Sequence, residues 1–278
     1  MGLRINTNIP ALVAQRNLRL NRTALDGTLE RLSSGSRINH SGDDAAGLAI
    51  SESIKAQMRG LKQAERNAQD GISVVQIAEG ALGEVANVLI RLRELAVQAA
   101  SDTVGQHERK FLDVEFQQLL AEIDRISNST EYNGVPLLNG SGTTFEIQIG
   151  TQNNPVIDRV KLYDPYAADI NSVALGINLA SAGDKTSAQN SLAALDNAIN
   201  SVTSIRAEFG AMQNRLQSII NNISINQENL SSANSRIRDA DIAVEASELT
   251  KNQILMQAGV AVLAQANTAM KSALRLLE

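Results

Sequence analysis

The residues best suited to metal chemistry begin at His107, where the run 107–111 reads His-Glu-Arg-Lys-Phe. Zinc-protease helices carry His-Glu-x-x-His, because histidines four residues apart place two imidazole ligands on one helix face. Here the fifth residue is Phe111, and the other histidine, His40, is far away in sequence. We therefore expect His107 to be a solvated residue at a helix start, and we expect no metal site.

Other catalytic arrangements are also missing from the sequence. The chain has no cysteine, which excludes disulfides, thiolate metal sites and a cysteine nucleophile. It contains no phosphate-binding loop, nucleophile elbow or dinucleotide fingerprint. We expect neither enzymatic activity nor a cofactor.

The composition favours an elongated helical protein. Hydrophobic residues make up 43% of the chain but aromatic residues only 3%, with no tryptophan. Long helix–helix seams are filled by Leu, Ile, Val and Ala, whereas compact cores use more aromatic bulk. The net charge of −5 makes nucleic acid an unlikely class of partner. No stretch resembles a signal peptide or a membrane span, which taken alone indicates a cytosolic protein without membrane insertion.

Apolar seams lie at both ends of the chain. Their spacing alternates between three and four residues, which is the heptad pattern of a coiled coil. They predict that the ends pair with each other, with other copies, or with both. Asn267 either fixes the register of such a pairing or faces a wet patch. The members are Leu18, Leu25, Leu29 and Leu32 near the N-terminus, with Gln15 and Arg22 as polar interruptions, and Met256, Val260, Leu263, Asn267, Met270, Leu274 and Leu277 near the C-terminus.

The chain in order predicts long helices that fold back on one another. The first helix begins near Asn8 and ends near Leu32, and the second spans about 44–100. A short connector leads to a third helical seam, so these two helices form an antiparallel hairpin. The helical pattern returns from about Thr186 and breaks near 238–241 before the terminal helix. The second helix carries a strict heptad seam of Val75, Ala78, Leu82, Val85, Leu89, Leu92 and Ala96.

The part between about 130 and 180 is the only candidate for β structure. Phe145, Ile147 and Ile149 alternate with polar residues and predict a strand, and Val160 with Leu162 predicts its partner. Tyr132-Asn133-Gly134 indicates a turn. A lone hairpin is marginal in water, so it must rest on the helices. The predicted fold class is mainly α: an elongated antiparallel helical bundle with a small β-hairpin in the middle.

Several motifs, in the same order and on both flanks, resemble bacterial flagellin over nearly the whole chain. The N-terminal flank resembles the family at Ile5–Asn8, Ala14–Leu18, Arg31–Gly35, Arg37–Asn39, Asp43–Ile50, Arg66–Ser73 and Arg93–Gln98. The C-terminal flank resembles it at Ser235–Asp241, Leu249–Leu255 and Leu263–Asn267.

The resemblance implies a division into an inner core and a surrounding rod. The paired terminal helices at 1–42 and 239–278 would form the inner core domain. The rod domain would comprise 43–178, with two helices and the hairpin, and 179–238, with the returning long helix. Too few residues separate the flanking helices for the outer domains that larger flagellins insert.

The resemblance also implies the function. Flagellins polymerise into the flagellar filament for swimming motility. They are exported by the flagellar type III apparatus without a cleaved signal, which places the protein outside the cell and reverses the cytosolic interpretation. The implied partners are other copies of the chain, an export chaperone, and the filament cap and junction proteins.

Innate-receptor recognition is a further implication of the resemblance. Arg91, Leu95 and Glu115 align with flagellin positions contacted by Toll-like receptor 5. Arg91 and Leu95 are four residues apart and share a helix face, and the hairpin could bring Glu115 alongside. The alternative is that these residues serve packing between subunits.

Two other functions remain open. A hook–filament junction protein would share the terminal helices but not usually so complete a set of flagellin motifs. A coiled-coil adaptor or receptor ligand would act as a discrete oligomer. Assembly state distinguishes both from a filament subunit.

Overall fold

The computed structural model describes residues 7–141, 144–162 and 168–275, with side chains up to residue 268. Helices predominate within these residues, and the strands are very short, which confirms the mainly α class with a small β part. The helices are α1 (Ile9–Ser34), α2 (Ala45–Ala100), α3 (Gln106–Ser129), α4 (Lys185–Arg238) and α5 (Ile242–Arg275). The strands are β1 (Glu131–Tyr132), β2 (Val135–Pro136), β3 (Glu146–Gln148) and β4 (Arg159–Lys161).

The chain forms two compact units. Unit 1 comprises Met1–Ala56 and Asn229–Glu278, and unit 2 comprises Gln57–Glu228. Unit 1 therefore holds both terminal helices, whereas unit 2 holds α3, all four strands and most of α2 and α4.

Local capping explains where α1 begins and ends. The Asn8 side chain accepts a hydrogen bond from the Ala11 N–H at 3.1 Å, which satisfies one of the free donors at the helix start. At the other end Gly35 adopts a left-handed φ of 67° and donates its N–H to the Arg31 carbonyl. A side chain at Gly35 would strain this conformation, so glycine terminates the helix here. The predicted start is confirmed, and the helix ends at Ser34, two residues beyond the predicted end near Leu32.

The core of unit 2 is built on the heptad seam of α2. All seven predicted residues, from Val75 to Ala96, are fully buried. They form one apolar cluster with Phe116 and Ile123 of α3 and with the inner face of α4. A strict 3.5-residue period keeps such a stripe on one side of a long helix, so every member reaches the core. The buried members from α4 are Ala188, Leu195, Ala198, Val202, Phe209, Leu216 and Ile220.

The described residues between α3 and α4 form two hairpins where the sequence predicted one. The predicted pair is confirmed as β3 and β4, which are antiparallel with Ile147 opposite Val160. This hairpin rests on α2, since Gly71 leaves room for the end of the Ile147 side chain and Asn67 donates to the Gln148 carbonyl at 2.9 Å. The additional hairpin, β1 with β2, closes around the turn that the sequence indicated at 132–134.

The connection from 168 to 184 is held by polar side chains of α3. Asp124 accepts hydrogen bonds from the Ser172 N–H and hydroxyl at 2.7 and 2.9 Å. Asp113 accepts from the Ser181 hydroxyl at 2.8 Å and from the Ala182 N–H at 2.9 Å. These bonds satisfy backbone donors of a segment that has no strand or helix of its own.

Helix α2 is also long and apolar enough to cross a membrane by length and composition. Its most apolar 18-residue window has a mean hydropathy of 1.3, and 33% of that window is buried inside the protein. Core helices of other proteins pass the same test, and the seam from Val75 to Ala96 is packed in the core of unit 2.

Candidate functional site

The terminal helices α1 and α5 pack against each other in antiparallel orientation. Near the start of α1, the Asn8 Nδ2 donates to the Ala266 carbonyl at 3.2 Å. At the opposite end, the Ala240 N–H donates to the Gly35 carbonyl at 3.0 Å. The two ends of the chain therefore pair with each other, as one alternative from the sequence predicted. We call this arrangement the α1–α5 pair.

Small side chains line the inner face of the α1–α5 pair. Ala11 and Ala14 are buried on α1, and Leu18 projects over Gly259 of α5. A Cβ at Gly259 would lie 2.7 Å from the nearest Leu18 methyl carbon, so glycine permits this close approach. Because small side chains bury little apolar area, the pairing contributes less stability than a seam of large residues would.

Polar groups also lie in this inner face. Thr28 is 1% exposed and Asn252 is 7% exposed, and the Asn252 Nδ2 donates to the Thr28 hydroxyl at 3.4 Å. Arg31 lies three residues after Thr28, and its Nε donates to the carboxylate of Glu245, seven residues before Asn252, at 2.8 Å. The buried amide in the pair is thus Asn252, whereas Asn267, for which the sequence suggested this role, is exposed.

The predicted seam residues divide between the inner face and the outside. Leu18, Leu25, Leu32, Met256 and Leu263 are half-buried, whereas Leu29, Val260 and Asn267 are exposed in the single chain. The side chains of Met270 and Leu274, and Leu277 as a whole, lie outside the described part of the chain.

The division has a physical reason. The sequence placed Leu29, Val260 and Asn267 in the seam, but the residues that face the partner helix come one position earlier in the chain. These inward residues are Ala14, Thr28, Gly259 and Ala266. Leu29, Val260 and Asn267 therefore lie outside the contact between α1 and α5 of one chain, and the role of the seams in contacts between copies stays a prediction.

The outward faces of the α1–α5 pair carry many large apolar side chains. On α1, Leu12 and Leu20 remain more than half exposed, and on α5 Val260 is 56% exposed. A helix that is apolar on more than one side is usually buried by a further partner. The outward apolar residues are Ile9, Leu12, Val13, Leu20 and Leu29 on α1 and Ile242, Val244, Ile254, Leu255, Val260 and Val262 on α5.

An ion pair joins the other part of unit 1. The Arg238 guanidinium donates to the Glu52 carboxylate at 2.7 Å, and this hydrogen bond is the main reason why the pKa of Glu52 lies below its ordinary value of 4.5. The Ser51 hydroxyl donates to the Asn234 side chain at 2.9 Å one turn away. These contacts tie the start of α2 to the end of α4.

The structure brings two of the three candidate receptor-contact residues together. Arg91 donates from Nη2 and Nε to the Glu115 carboxylate at 2.8 and 3.0 Å, and from Nη1 to Glu94 at 3.0 Å. The hydrogen bond from Arg91 to Glu115 is the main cause of the raised pKa of the Arg91 guanidinium. Both partners of this ion pair are exposed.

The position expected for Leu95 is corrected. Leu95 is 1% exposed and packs in the core of unit 2, so its side chain is not presented beside Arg91. The 3.6-residue turn places position i+4 slightly around the helix from position i, and this rotation takes Leu95 to the core side. Arg91 and Glu115 remain the accessible candidates.

The region around His107 shows no arrangement for metal chemistry. His107 is exposed at the start of α3, and its ring makes an edge-to-face contact with Phe111 at 4.8 Å between centroids. Among the described residues there is no group of three or more His, Asp or Glu side chains able to hold a metal ion. His40 instead lies 2.7 Å from the carboxylate of Glu30 on the surface.

Comparisons with known proteins point to one family. Residues 5–143 match the family model for the bacterial flagellin N-terminal helical region, and residues 192–277 match that for the bacterial flagellin C-terminal helical region. A flagellin of Halalkalibacterium halodurans is 45% identical over 273 residues, which cover 98% of this chain and 99% of the relative. A flagellin of Bacillus subtilis is 44% identical over 306 aligned positions, covering 99% of this chain and 100% of the relative.

Solved structures agree with these matches. The crystal structure of Bacillus cereus flagellin is 34% identical, with a TM-score of 0.51, and covers 57% of this chain and 88% of its own. A putative flagellar hook-associated protein from Vibrio parahaemolyticus has a TM-score of 0.60, covers 71% of this chain and 100% of its own, and is 15% identical. The second likeness concerns the fold alone.

Proposed function

The chain belongs to the bacterial flagellin family, and from this premise we propose that it polymerises into the flagellar filament through the outward faces of α1 and α5. It is a structural subunit for motility and not an enzyme. The observation that carries the proposal is the exposed apolar surface on both members of the α1–α5 pair, on the side away from their mutual contact.

Self-association accounts for this surface. Exposed apolar area in water is costly, and a neighbouring copy that covers it removes the cost. A contact between different surfaces of two copies, repeated without closing, generates an open helical polymer. The exposed seam residues Leu29, Val260 and Asn267 are then available to neighbouring subunits, and half-buried Leu18, Leu25, Leu32, Met256 and Leu263 contribute to both contacts.

The division of the subunit is part of the same proposal. We propose that 1–42 and 239–278 form the inner core of the filament and that 43–178 and 179–238 form the rod around it. Because the inner face of the α1–α5 pair is made of small and half-buried side chains, we expect these helices to fold fully only on assembly.

Export and partner proteins belong to the same proposal. The filament lies outside the cell, so the subunit must cross the envelope, and we propose the flagellar type III apparatus as its route. The additional partners are an export chaperone that covers the terminal apolar surface before assembly, and the cap and junction proteins at the ends of the filament.

Recognition by Toll-like receptor 5 is a second proposed role. It is supported by the exposed ion pair of Arg91 and Glu115, which presents a guanidinium and a carboxylate together on the α2–α3 hairpin. The same residues could instead contact a neighbouring subunit, so receptor binding would require free monomers.

Motility of a bacterium that lacks its own flagellin tests the filament role. Expression of the full chain is expected to restore swimming, and filaments sheared from the cells should consist of this protein. A matched strain expressing the chain with Leu12→Ser and Val260→Ser should export the protein but remain immotile. Restored swimming by both proteins would contradict assembly through the terminal helices. A discrete secreted oligomer from the unaltered chain would favour the junction-protein or adaptor alternatives.

A further inference from the structure

The inner face of the α1–α5 pair contains one hydrogen bond between two buried side chains, which we call the polar rung. It joins the Asn252 Nδ2 to the Thr28 Oγ1 at 3.4 Å, and the Thr28 hydroxyl in turn donates to the Ala24 carbonyl at 2.8 Å. Among the side chains of α5 that the structure describes, Asn252 alone is buried rather than half-buried or exposed.

The large apolar side chains of the same face define the register only weakly, since the one close fit among them is that of Leu18 over Gly259. Leu18, Leu25 and Leu32 recur every seven residues on α1, and Met256 and Leu263 are separated by the same interval on α5. Sliding α5 along α1 by one heptad therefore brings leucines and methionine against equivalent positions. Such a repeat permits several alignments of nearly equal stability.

The polar rung distinguishes these alignments. A slip of one heptad separates Asn252 from Thr28 and leaves the buried Asn252 amide without this partner, whereas the Thr28 hydroxyl keeps its bond to the Ala24 carbonyl. An unsatisfied buried polar group is costly, which is why a single buried Asn can fix the register of a coiled coil. The ion pair between Arg31 and Glu245, which lies one heptad before Asn252 on α5, favours the same alignment.

We propose that Thr28 and Asn252 are positioning residues that fix the register in which α5 pairs with α1 of its own chain. The inference rests on the proposed function, because register matters only if the pair presents a defined surface to neighbours. A slip of one heptad moves α5 along α1 by about 10.5 Å. Outward residues such as Leu12 and Val260 would then no longer be aligned to contact one neighbouring copy together.

Engineered cysteines can report the register directly, because the natural chain contains none. The pair Leu18→Cys with Gly259→Cys reports the observed register, since these positions are in contact. The pair Leu18→Cys with Ala266→Cys reports a slip of one heptad. A short thiol-specific crosslinker applied to assembled filaments gives a product of monomer size when the helices belong to one chain and of dimer size when they belong to two.

The test introduces Asn252→Leu into both reporter proteins. The measured ratio is the crosslink yield of the observed-register reporter divided by the crosslink yield of the slipped-register reporter. Asn252→Leu is expected to lower this ratio by about fivefold or more, which corresponds to the ~1 kcal/mol net contribution of one buried hydrogen bond. The swap Thr28→Asn with Asn252→Thr should restore the ratio, because it rebuilds the bond with exchanged partners. Gln253→Leu makes a similar amide-to-leucine change at an exposed neighbouring position and should leave the ratio unchanged.

Each other result has a definite meaning. An unchanged ratio in the Asn252→Leu protein, or a swap that fails to restore it, would overturn the positioning role. Failure of the unaltered chain to form filaments would instead contradict the proposed function. In that case the same crosslink ratio, measured on the soluble chain under conditions in which circular dichroism shows α1 and α5 to be helical, still decides whether Thr28 and Asn252 set the register.

Discussion

Replacing Val260 by Ser separates the stability of the single chain from the stability of the assembly. Val260 is 56% exposed on the outward face of α5, and Val and Ser have similar helix propensities. The unfolding free energy of the single chain should therefore change by no more than about 0.5 kcal/mol, as is usual for a surface position.

The effect on the assembly should be larger. Full burial of a Val side chain contributes about 1.5–3 kcal/mol, so covering the exposed remainder of Val260 in a neighbouring copy contributes about 1–2 kcal/mol. A loss of this size weakens addition of a subunit to the filament end by a factor of about 5 to 30. The critical concentration for polymerisation should rise by the same factor.

Sedimentation of polymer from a dilution series, after polymerisation is induced by salt, measures the critical concentration. Circular dichroism of the unpolymerised protein checks that the helix content is unchanged. Val173→Ser is the matched control, because Val173 is 68% exposed in the connection of unit 2 and belongs to neither terminal helix. An equal rise in both variants, or no rise for Val260→Ser, would refute the assignment of this face to subunit contact.

Three further predictions concern other parts of the chain. Leu89→Ala removes a fully buried side chain from the α2 seam and should lower the unfolding free energy by about 2–5 kcal/mol in denaturant titrations. An unchanged denaturation midpoint would contradict this prediction. The pKa of Glu52 is depressed in the folded chain by its bond to Arg238, so the stability it contributes is present above its ordinary value of 4.5 and is lost as the pH falls through the folded pKa. The midpoint temperature of thermal unfolding should accordingly fall less between pH 6 and pH 3 for Glu52→Gln than for the unaltered chain. An equal or larger fall for Glu52→Gln would contradict this reasoning. The double change Arg91→Ala with Glu115→Ala should weaken activation of Toll-like receptor 5 by monomers about tenfold or more, whereas undiminished signalling would remove the proposed receptor role.

The long helices could be predicted because their sequence signals agree with one another. In α2, every position of the heptad seam from Val75 to Ala96 is apolar and most are Val or Leu, so the hydrophobic pattern and the buried face coincide. Helix ends were equally clear where a capping residue stands at the boundary, as Asn8 and Gly35 do for α1.

The inner face of the α1–α5 pair was only half predicted, because small residues form part of it. A search for apolar repeats selects Leu29 and Val260, whereas the helices approach through Thr28 and Gly259 one position earlier. Small side chains give a weak hydrophobic signal but allow close helix contact. The large side chains beside them remain outside, which is also why they are candidates for subunit contact.

Polar contacts between distant segments could not be predicted from periodicity. Asp113 and Asp124 look like ordinary solvated residues of a helix, yet they hold backbone groups of the 168–184 connection. The strands of the first hairpin are only two residues long, which is too short for an alternating pattern. In both cases the structure depends on contacts that no local window of sequence contains.

Electron microscopy of negatively stained protein after salt-induced polymerisation tests the central claim most directly. The full chain should be compared with a version lacking residues 1–40 and 240–278, which removes both members of the α1–α5 pair while leaving unit 2 intact. Long filaments from the full chain and none from the shortened one are the expected result. Discrete particles from both, or filaments from both, would contradict a filament built through the terminal helices.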